Sequence, residues 1–404
     1  MRMKKWVLWT VPGLLVVAAA GFFLLRPPQV EPFVPTKKEA AQLALYRQPE
    51  SWFLQHLKKP PIELDGQRLD PKFQYMIEQG GDAELAARIM RMLFATAPGR
   101  RYVRAAGDRH WILFAKVTAP MRKVEDRKVD GRGGLIHVRI YWPQTPEAGP
   151  LPMLVYAHGG GYLFGSVAAL DRPMRLIANE AHAIVVSMDY RLAPEHPYPA
   201  ASDDGEDVFL WACANAAALG GDPMRVAFGG DSAGGHVAIN VAQRQLLKGA
   251  APPAMLLLYY PAVGLPYGTR SGELFGKGYG LDTSFFDYLL PKVFPGKTLD
   301  DPRDDLMDPL NAESLARMPP TILSTAGFDI LRDPGRAFAG RLRDAGVPVT
   351  YRNEASLIHS YLQFSGIIAD ADRAASETAR LFGERMRASP AEIPDAPRKA
   401  LYGQ

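Results

Sequence analysis

From about residue 121 onward, short apolar runs recur along the chain: "LIHVRIYW" (135–142), "PMLVYA" (152–157), "AIVVSMDY" (183–190), "RVAF" (225–228), "AMLLLYY" (254–260), "PTILSTAG" (320–327) and "VPVTYRN" (347–353). Each is too short for a helix, and most are separated by helix-like stretches long enough for a crossover connection. Strands that are apolar throughout need cover on both faces. The pattern predicts an α/β chain with a mostly parallel central sheet covered by helices on both faces. "LIHVRIYW" differs, because Ile136, Val138, Ile140 and Trp142 alternate with other residues, as in a half-buried strand near a sheet edge. Reactive groups in such sheets collect at the carboxyl ends of strands.

Two of these runs end in glycines. After "RVAF" comes "GGDSAGGHVAINVAQRQLL", in which Gly230, Ser232 and Gly234 form G-x-S-x-G, with Asp231 and Ala233 at the variable positions. A strand-to-helix turn this tight excludes flanking side chains and lifts the Ser232 hydroxyl above the sheet edge. It also aims backbone N–H groups at a helix N-terminus toward negative charge. After "PMLVYA" comes His158 and then Gly159, Gly160 and Gly161. An H-G-G-G loop following an early strand is the expected second half of an oxyanion hole. The competing reading is a dinucleotide-binding loop with Asp189 as its acid, which the downstream turn argues against.

A serine hydroxyl becomes a good nucleophile when a base takes its proton and a carboxylate orients that base. In chains with this turn the order is serine, acid, histidine. Of the eight histidines only His359, in "SLIHSYLQF", follows every candidate acid. "STAGFDILRDPG" offers two acids, Asp329 and Asp333. Asp333 precedes Pro334 in the arrangement of a helix N-cap, which leaves Asp329 favoured to orient His359.

Composition narrows the partners. The 404 residues carry a formal charge of only +4, and no basic stripe with interleaved aromatics appears, which argues against nucleic acid. The single cysteine, Cys213, lies in an apolar, alanine-rich run and reads as packing. No H-E-x-x-H or paired-cysteine pattern suggests a metal.

Residues 6–25, "WVLWTVPGLLVVAAAGFFLL", are uncharged, and as a helix they would reach roughly 30 Å, the thickness of a bilayer's hydrocarbon core. Arg2, Lys4 and Lys5 precede them. The expectation is a membrane anchor over 1–26, N-terminus cytoplasmic and the remainder extracytoplasmic. A cleaved signal peptide ending near "AAAG" is the alternative. Residues 27–36 read as a proline-rich linker, an extended spacer off the membrane. Residues 37–120 read as a helical region in which "DAELAARIMRMLFATAPG" has an acidic start and a Pro-Gly stop, with 101–120 showing no period. The last residues, 389–404, read as a loose tail.

Together "HGGGYLFG", "DYRLAPEHPYPAASDD", "GGDSAGGH", "FDILRD" and "IHSYL" resemble, in order, the hormone-sensitive-lipase-like branch of the α/β-hydrolases. The resemblance implies an α/β-hydrolase fold over 121–388, with a helical cap from the N-terminal helices and an insertion at about 265–305. It implies hydrolysis of short- to medium-chain carboxylic esters without a cofactor. Ser232 would be the nucleophile, His359 the base and then acid, and Asp329 the orienter. Gly159, Gly160 and Ala233 would supply the oxyanion N–H groups. An anchor ahead of this domain resembles the arylacetamide-deacetylase arrangement. Where the family often has His-Gly-Phe, this chain has His359-Ser360-Tyr361. Glu195 is expected to brace the site, His158 to hold the glycine loop and His236 to pack. The alternatives are a ligand-binding receptor on a hydrolase fold, or an amidase or acyltransferase using the same three residues.

Overall fold

Six of the apolar runs become inner strands of one eight-stranded sheet, and the last, "VPVTYRN", becomes an edge strand. The computed structural model describes residues 26–81, 83–145, 149–297, 309 and 313–388. The strands are β1 (Lys123–Gly131), β2 (Gly134–Trp142), β3 (Leu151–Ala157), β4 (Ile184–Asp189), β5 (Gly221–Asp231), β6 (Leu256–Tyr259), β7 (Thr321–Phe328) and β8 (Val349–Ile358). Their order across the sheet is β8-β7-β6-β5-β3-β4-β2-β1. All neighbours from β8 to β4 run parallel, while β4–β2 and β2–β1 are antiparallel. Every residue of β3 and β6 is buried, as strands covered on both faces require.

Helices α1 (Lys37–Tyr46), α2 (Glu50–His56), α3 (Pro71–Gln79), α4 (Ala83–Phe94) and α5 (Ala97–Phe114) precede the sheet. Between and after the strands run α6 (Asp171–Ala181), α7 (Ala200–Asn215), α8 (Ala233–Leu247), α9 (Arg270–Phe275), α10 (Thr283–Val293), α11 (Arg332–Asp344) and α12 (Ala369–Arg387). α6 packs against α12, and α7 against α8. α9 and α10 fall between β6 and β7, in the region expected to add to the cap.

Four features depart from the sequence expectations. The edge strand beside β2, β1, reads "KVEDRKVDG" and buries only Val129, so it carries no apolar signal. An edge strand with charged side chains is shielded against pairing with another chain, and that same polarity hides it from a search for apolar runs. Pro98-Gly99 begins a helix instead of ending one: Thr96 accepts the Gly99 N–H (3.2 Å), and proline is tolerated in a first turn because its missing N–H has no partner there. Helix α5 then fills most of the stretch that showed no period.

The proline-rich segment is not a free spacer. Arg109 donates to the carbonyls of Gln29 (2.7 Å) and Val34 (2.6 Å), and Phe33 lies under the guanidinium groups of Arg109 and Arg172. Glu31 pairs with Arg139. Residues 29–34 are thus fixed to the body. Asp333 is not the cap of its helix, since α11 begins at Arg332; its carboxylate accepts the Ser271 N–H (2.8 Å) and pairs with Arg332 (2.9 Å), tying α11 to α9.

Among the described residues, no helix is long and apolar enough to cross a membrane. Residues 1–25 of the anchor expected over 1–26 and the tail over 389–404 lie outside those residues, as do 298–308, which include the end of the cap insertion, and 310–312.

Candidate active site

Ser232 stands directly after β5, the glycine loop after β3, Asp329 after β7 and His359 after β8. Because these strands are parallel neighbours, their carboxyl ends share one rim. Crowding dictates the glycines around Ser232. A Cβ on Gly230 would lie 2.3 Å from the Gly234 carbonyl, and one on Gly234 2.0 Å from the Ala157 carbonyl oxygen. Ser232 itself is held at φ 53°, in the left-handed half of backbone space that a Cβ disfavours. Its N–H donates to Tyr259 O (3.0 Å), and its carbonyl accepts from Gly235 (3.0 Å) and Ala262 (3.0 Å). The side chain is presented at the N-terminus of α8 in one defined position.

His359 Nε2 lies 3.0 Å from Ser232 Oγ, and His359 Nδ1 lies 2.7 Å from Asp329 Oδ2. All three side chains are buried. A carboxylate accepts only, so the ring proton faces Asp329 and the Nε2 lone pair faces the hydroxyl. The other oxygen of Asp329 accepts the Leu331 N–H (2.9 Å), which fixes the carboxylate. A bulge in β8 assists: Glu354 pairs with Ala326 and Ile358 with Phe328, so three β8 residues stand opposite Gly327 alone. A bulge turns the next residues of its strand to a new direction, and here the residue so turned is His359.

The glycine loop is held from beneath. His158 accepts Tyr190 OH through its carbonyl (2.7 Å), stacks on the Tyr190 ring, and places Nδ1 2.8 Å from Gly159 O. Burial lowers the pKa of the ring, favouring neutral imidazole. The Gly159 N–H donates to Asp231 Oδ1 (2.9 Å), which also accepts Tyr156 OH (3.2 Å). Gly159 is therefore not available as an oxyanion donor, contrary to its sequence assignment: a Cβ there would meet Asp231 Oδ2 at 2.5 Å, so glycine at this position serves packing. Among the described residues, the N–H groups of Gly160, Gly161 and Ala233 have no acceptor, and both glycines line the cavity beside Ser232. Asp231 stood at a variable position of the serine motif, so its role was not legible there. Burial pushes its carboxyl up, and three donors converge on it, the third being Gln363 Nε2 (3.4 Å).

A cavity of about 560 Å³ opens over Ser232. Helices α3, α4 and α5 wall one side with Met76, Met90 and Trp111, and α10 walls another with Phe285 and Leu289. His110, also on α5, lines it too, and burial lowers its pKa. Glu195 lines no part of the cavity. It receives Arg100 (2.6 Å) and Arg104 (2.8 Å), while Arg104 also donates to the carbonyls of Leu163 and Ala193 (2.9 Å each). Burial pushes this carboxyl up, but the two guanidinium groups prevail and hold it at about 2. Glu195 locks α5 onto the segment that follows β4, and Arg104 ties α5 to the glycine loop through Leu163. His236 does more than pack, with Nδ1 2.5 Å from Tyr162 OH of that loop. Ser360 adopts φ 63°, the path a glycine would take, and lines the cavity. Among the described residues, no group of three or more His, Cys, Asp or Glu side chains is placed to hold a metal.

The comparisons with known proteins agree with this architecture. Carboxylesterase NlhH of Mycobacterium tuberculosis is 40% identical over 263 residues, covering 63% of this chain and 80% of the relative. Carboxylic ester hydrolase LipN of the same organism is 36% identical over 317 residues, covering 74% and 79%. The structure of an ester hydrolase from the metagenome of Lake Arreo superposes with a TM-score of 0.70 at 33% identity, covering 79% of this chain and all of the other. A family model described as the alpha/beta hydrolase fold matches residues 154–363, which include the serine turn, both acids considered and His359. The chain belongs to that alpha/beta hydrolase family.

Proposed function

We propose that this protein is a serine carboxylesterase that cleaves its substrate through an acyl-enzyme. One observation carries the reading: a single imidazole bridges the Ser232 hydroxyl and a fixed buried carboxylate, at 3.0 Å and 2.7 Å. Ser232 Oγ attacks the ester carbonyl as its proton passes to His359 Nε2, and Asp329 stabilises the imidazolium that forms. The carbonyl oxygen takes up negative charge beside the N–H groups of Gly160, Gly161 and Ala233, the last at the positive end of α8. His359 gives its proton to the departing alkoxide, the alcohol leaves, and water repeats the sequence on the acyl-serine. A receptor would have no use for this arrangement, and the names of the relatives support ester hydrolysis over amide hydrolysis or acyl transfer.

The cavity is apolar and bounded by Phe285, Leu289 and Trp111, which favours short to medium acyl chains. A series of p-nitrophenyl esters tests this. We expect kcat/KM to rise from acetate to an acyl length between butyrate and octanoate and to fall beyond it. A maximum at palmitate would contradict the short- to medium-chain reading, and no hydrolysis of any member would contradict the esterase reading.

We also propose that residues 6–25 anchor the chain in a membrane, with the catalytic unit extracytoplasmic, in the manner of the arylacetamide-deacetylase arrangement. An uncharged 20-residue run behind Arg2, Lys4 and Lys5 supports it.

A further inference from the structure

Helix α4 is apolar on two opposite faces. Ala87 and Met90 point into the cavity above Ser232, and Phe94 is buried. Leu85, Ile89 and Met92 are 53%, 47% and 56% exposed. Their spacing of four and then three residues puts them on one stripe, about half a turn round the helix from the cavity-lining side. A surface helix ordinarily carries polar residues on its outer face, and a helix apolar all round is ordinarily buried. Arg88 lies beside the stripe, 72% exposed, and pairs with exposed Glu84 in the adjoining turn. A surface helix with an exposed apolar stripe is suited to lying in a membrane interface with that stripe buried among the lipids.

The path of the N-terminal chain says which surface this helix meets. Residues 29–34 are clamped to the body through Arg109 and Arg139, so little free chain separates the apolar run ending at Leu25 from the catalytic unit. Arg109 sits on α5 next to His110 and Trp111, which line the cavity, and α5 packs against α4. The exit of the chain toward residue 25 is therefore held against α5, the helix that packs beside α4, and against β2 and α6.

We propose that Leu85, Ile89 and Met92 form a membrane-docking surface that seats in the interface of the bilayer holding the chain, so that esters dissolved in lipid reach Ser232 past α4. The proposal rests on the anchor reading above. It makes α4 a helix with water on neither side: its inner face closes the cavity and its outer face meets acyl chains.

The test uses the full chain with Cys213→Ser and Ile89→Cys, labelled with the fluorophore NBD and reconstituted into phosphatidylcholine–phosphatidylglycerol vesicles. A second preparation carries the label through Met224→Cys, near the opposite end of β5. We expect the protein to float with the vesicles, the label at 89 to shift to the blue, and brominated lipid to quench it at least about twofold, with no quenching at 224. The combined variant Leu85→Ser/Ile89→Ser/Met92→Ser should hydrolyse a vesicle-dissolved ester of a medium-chain acid and a long-chain alcohol about tenfold more slowly while keeping its rate on soluble p-nitrophenyl acetate. Flotation with a solvated, unquenched label at 89 would overturn the docking surface and leave the anchor standing. Failure to float would overturn the anchor and the docking surface with it, whereas hydrolysis of the soluble ester reports separately on the esterase reading. A blue shift that appears in detergent without vesicles and grows with protein concentration would identify a second copy as the occupant and overturn the proposal.

Discussion

Replacing Ser232 by Ala should lower kcat for a p-nitrophenyl ester by about 10⁴- to 10⁶-fold, because nucleophile and base act as one unit and losing either removes most of the catalysis. Any residual rate would come from the oxyanion donors and substrate binding alone. Stability should change by less than about 1 kcal/mol. Among the described residues the hydroxyl's one side-chain partner is His359, and alanine tolerates φ 53° no worse than serine. Steady-state kinetics with urea unfolding of the same preparation separate the two effects. A variant within tenfold of the parent enzyme would mean that Ser232 does not attack the ester.

The second large effect is structural. Gly234→Ala would place a methyl carbon 2.0 Å from the Ala157 carbonyl oxygen and 2.6 Å from that of His158. Neither oxygen belongs to a flexible side chain: β3 is paired on both sides, with β4 and β5. The start of α8 must therefore move away from the end of β3, parting Ser232 and Ala233 from the glycine loop. We expect a stability loss of about 3 kcal/mol and a fall in kcat/KM of at least about 100-fold, since a shift near 1 Å suffices for that. Gly340→Ala is the comparison. In α11 nothing lies within 4 Å of the added methyl, and helix propensity alone should hold stability constant or raise it by up to about 1 kcal/mol. Urea midpoints measure both variants. Equal destabilisation of the two would refute the crowding argument.

The serine turn was readable because its chemistry and its sterics demand the same residues: glycine at 230 and 234 is imposed by contacts with the helix start and the adjacent strand. The inner strands were readable because burial on both faces leaves an unbroken apolar run. Three things were hidden for identifiable reasons. β1 leaves every residue but Val129 exposed or half-buried, so its composition is that of a loop. The Pro-Gly pair after Phe94 is ambiguous in sequence, since proline both follows helices and begins them, and the deciding Thr96 contact is an atomic detail. The glycine loop presented three equivalent residues, and Gly159 is set apart only by a carboxylate 72 residues away. The only sequence signal was the acid beside Ser232 itself, a residue too buried to be solvated and so in need of donors. The cavity walls escaped for a related reason, because His110 and Trp111 face Ser232 only through the packing of α5, which Glu195 and two arginines secure.

Covalent capture tests most directly whether Ser232, activated by His359, attacks the ester carbonyl. Incubation of the full chain with a p-nitrophenyl alkylphosphonate, then intact-mass measurement and peptide mapping, should give one phosphonyl group per chain, located on Ser232. Loss of esterase activity should track labelling, and labelling should all but disappear in His359→Ala. Full inactivation with the label on another residue, or labelling of Ser232 that leaves ester hydrolysis intact, would contradict the account.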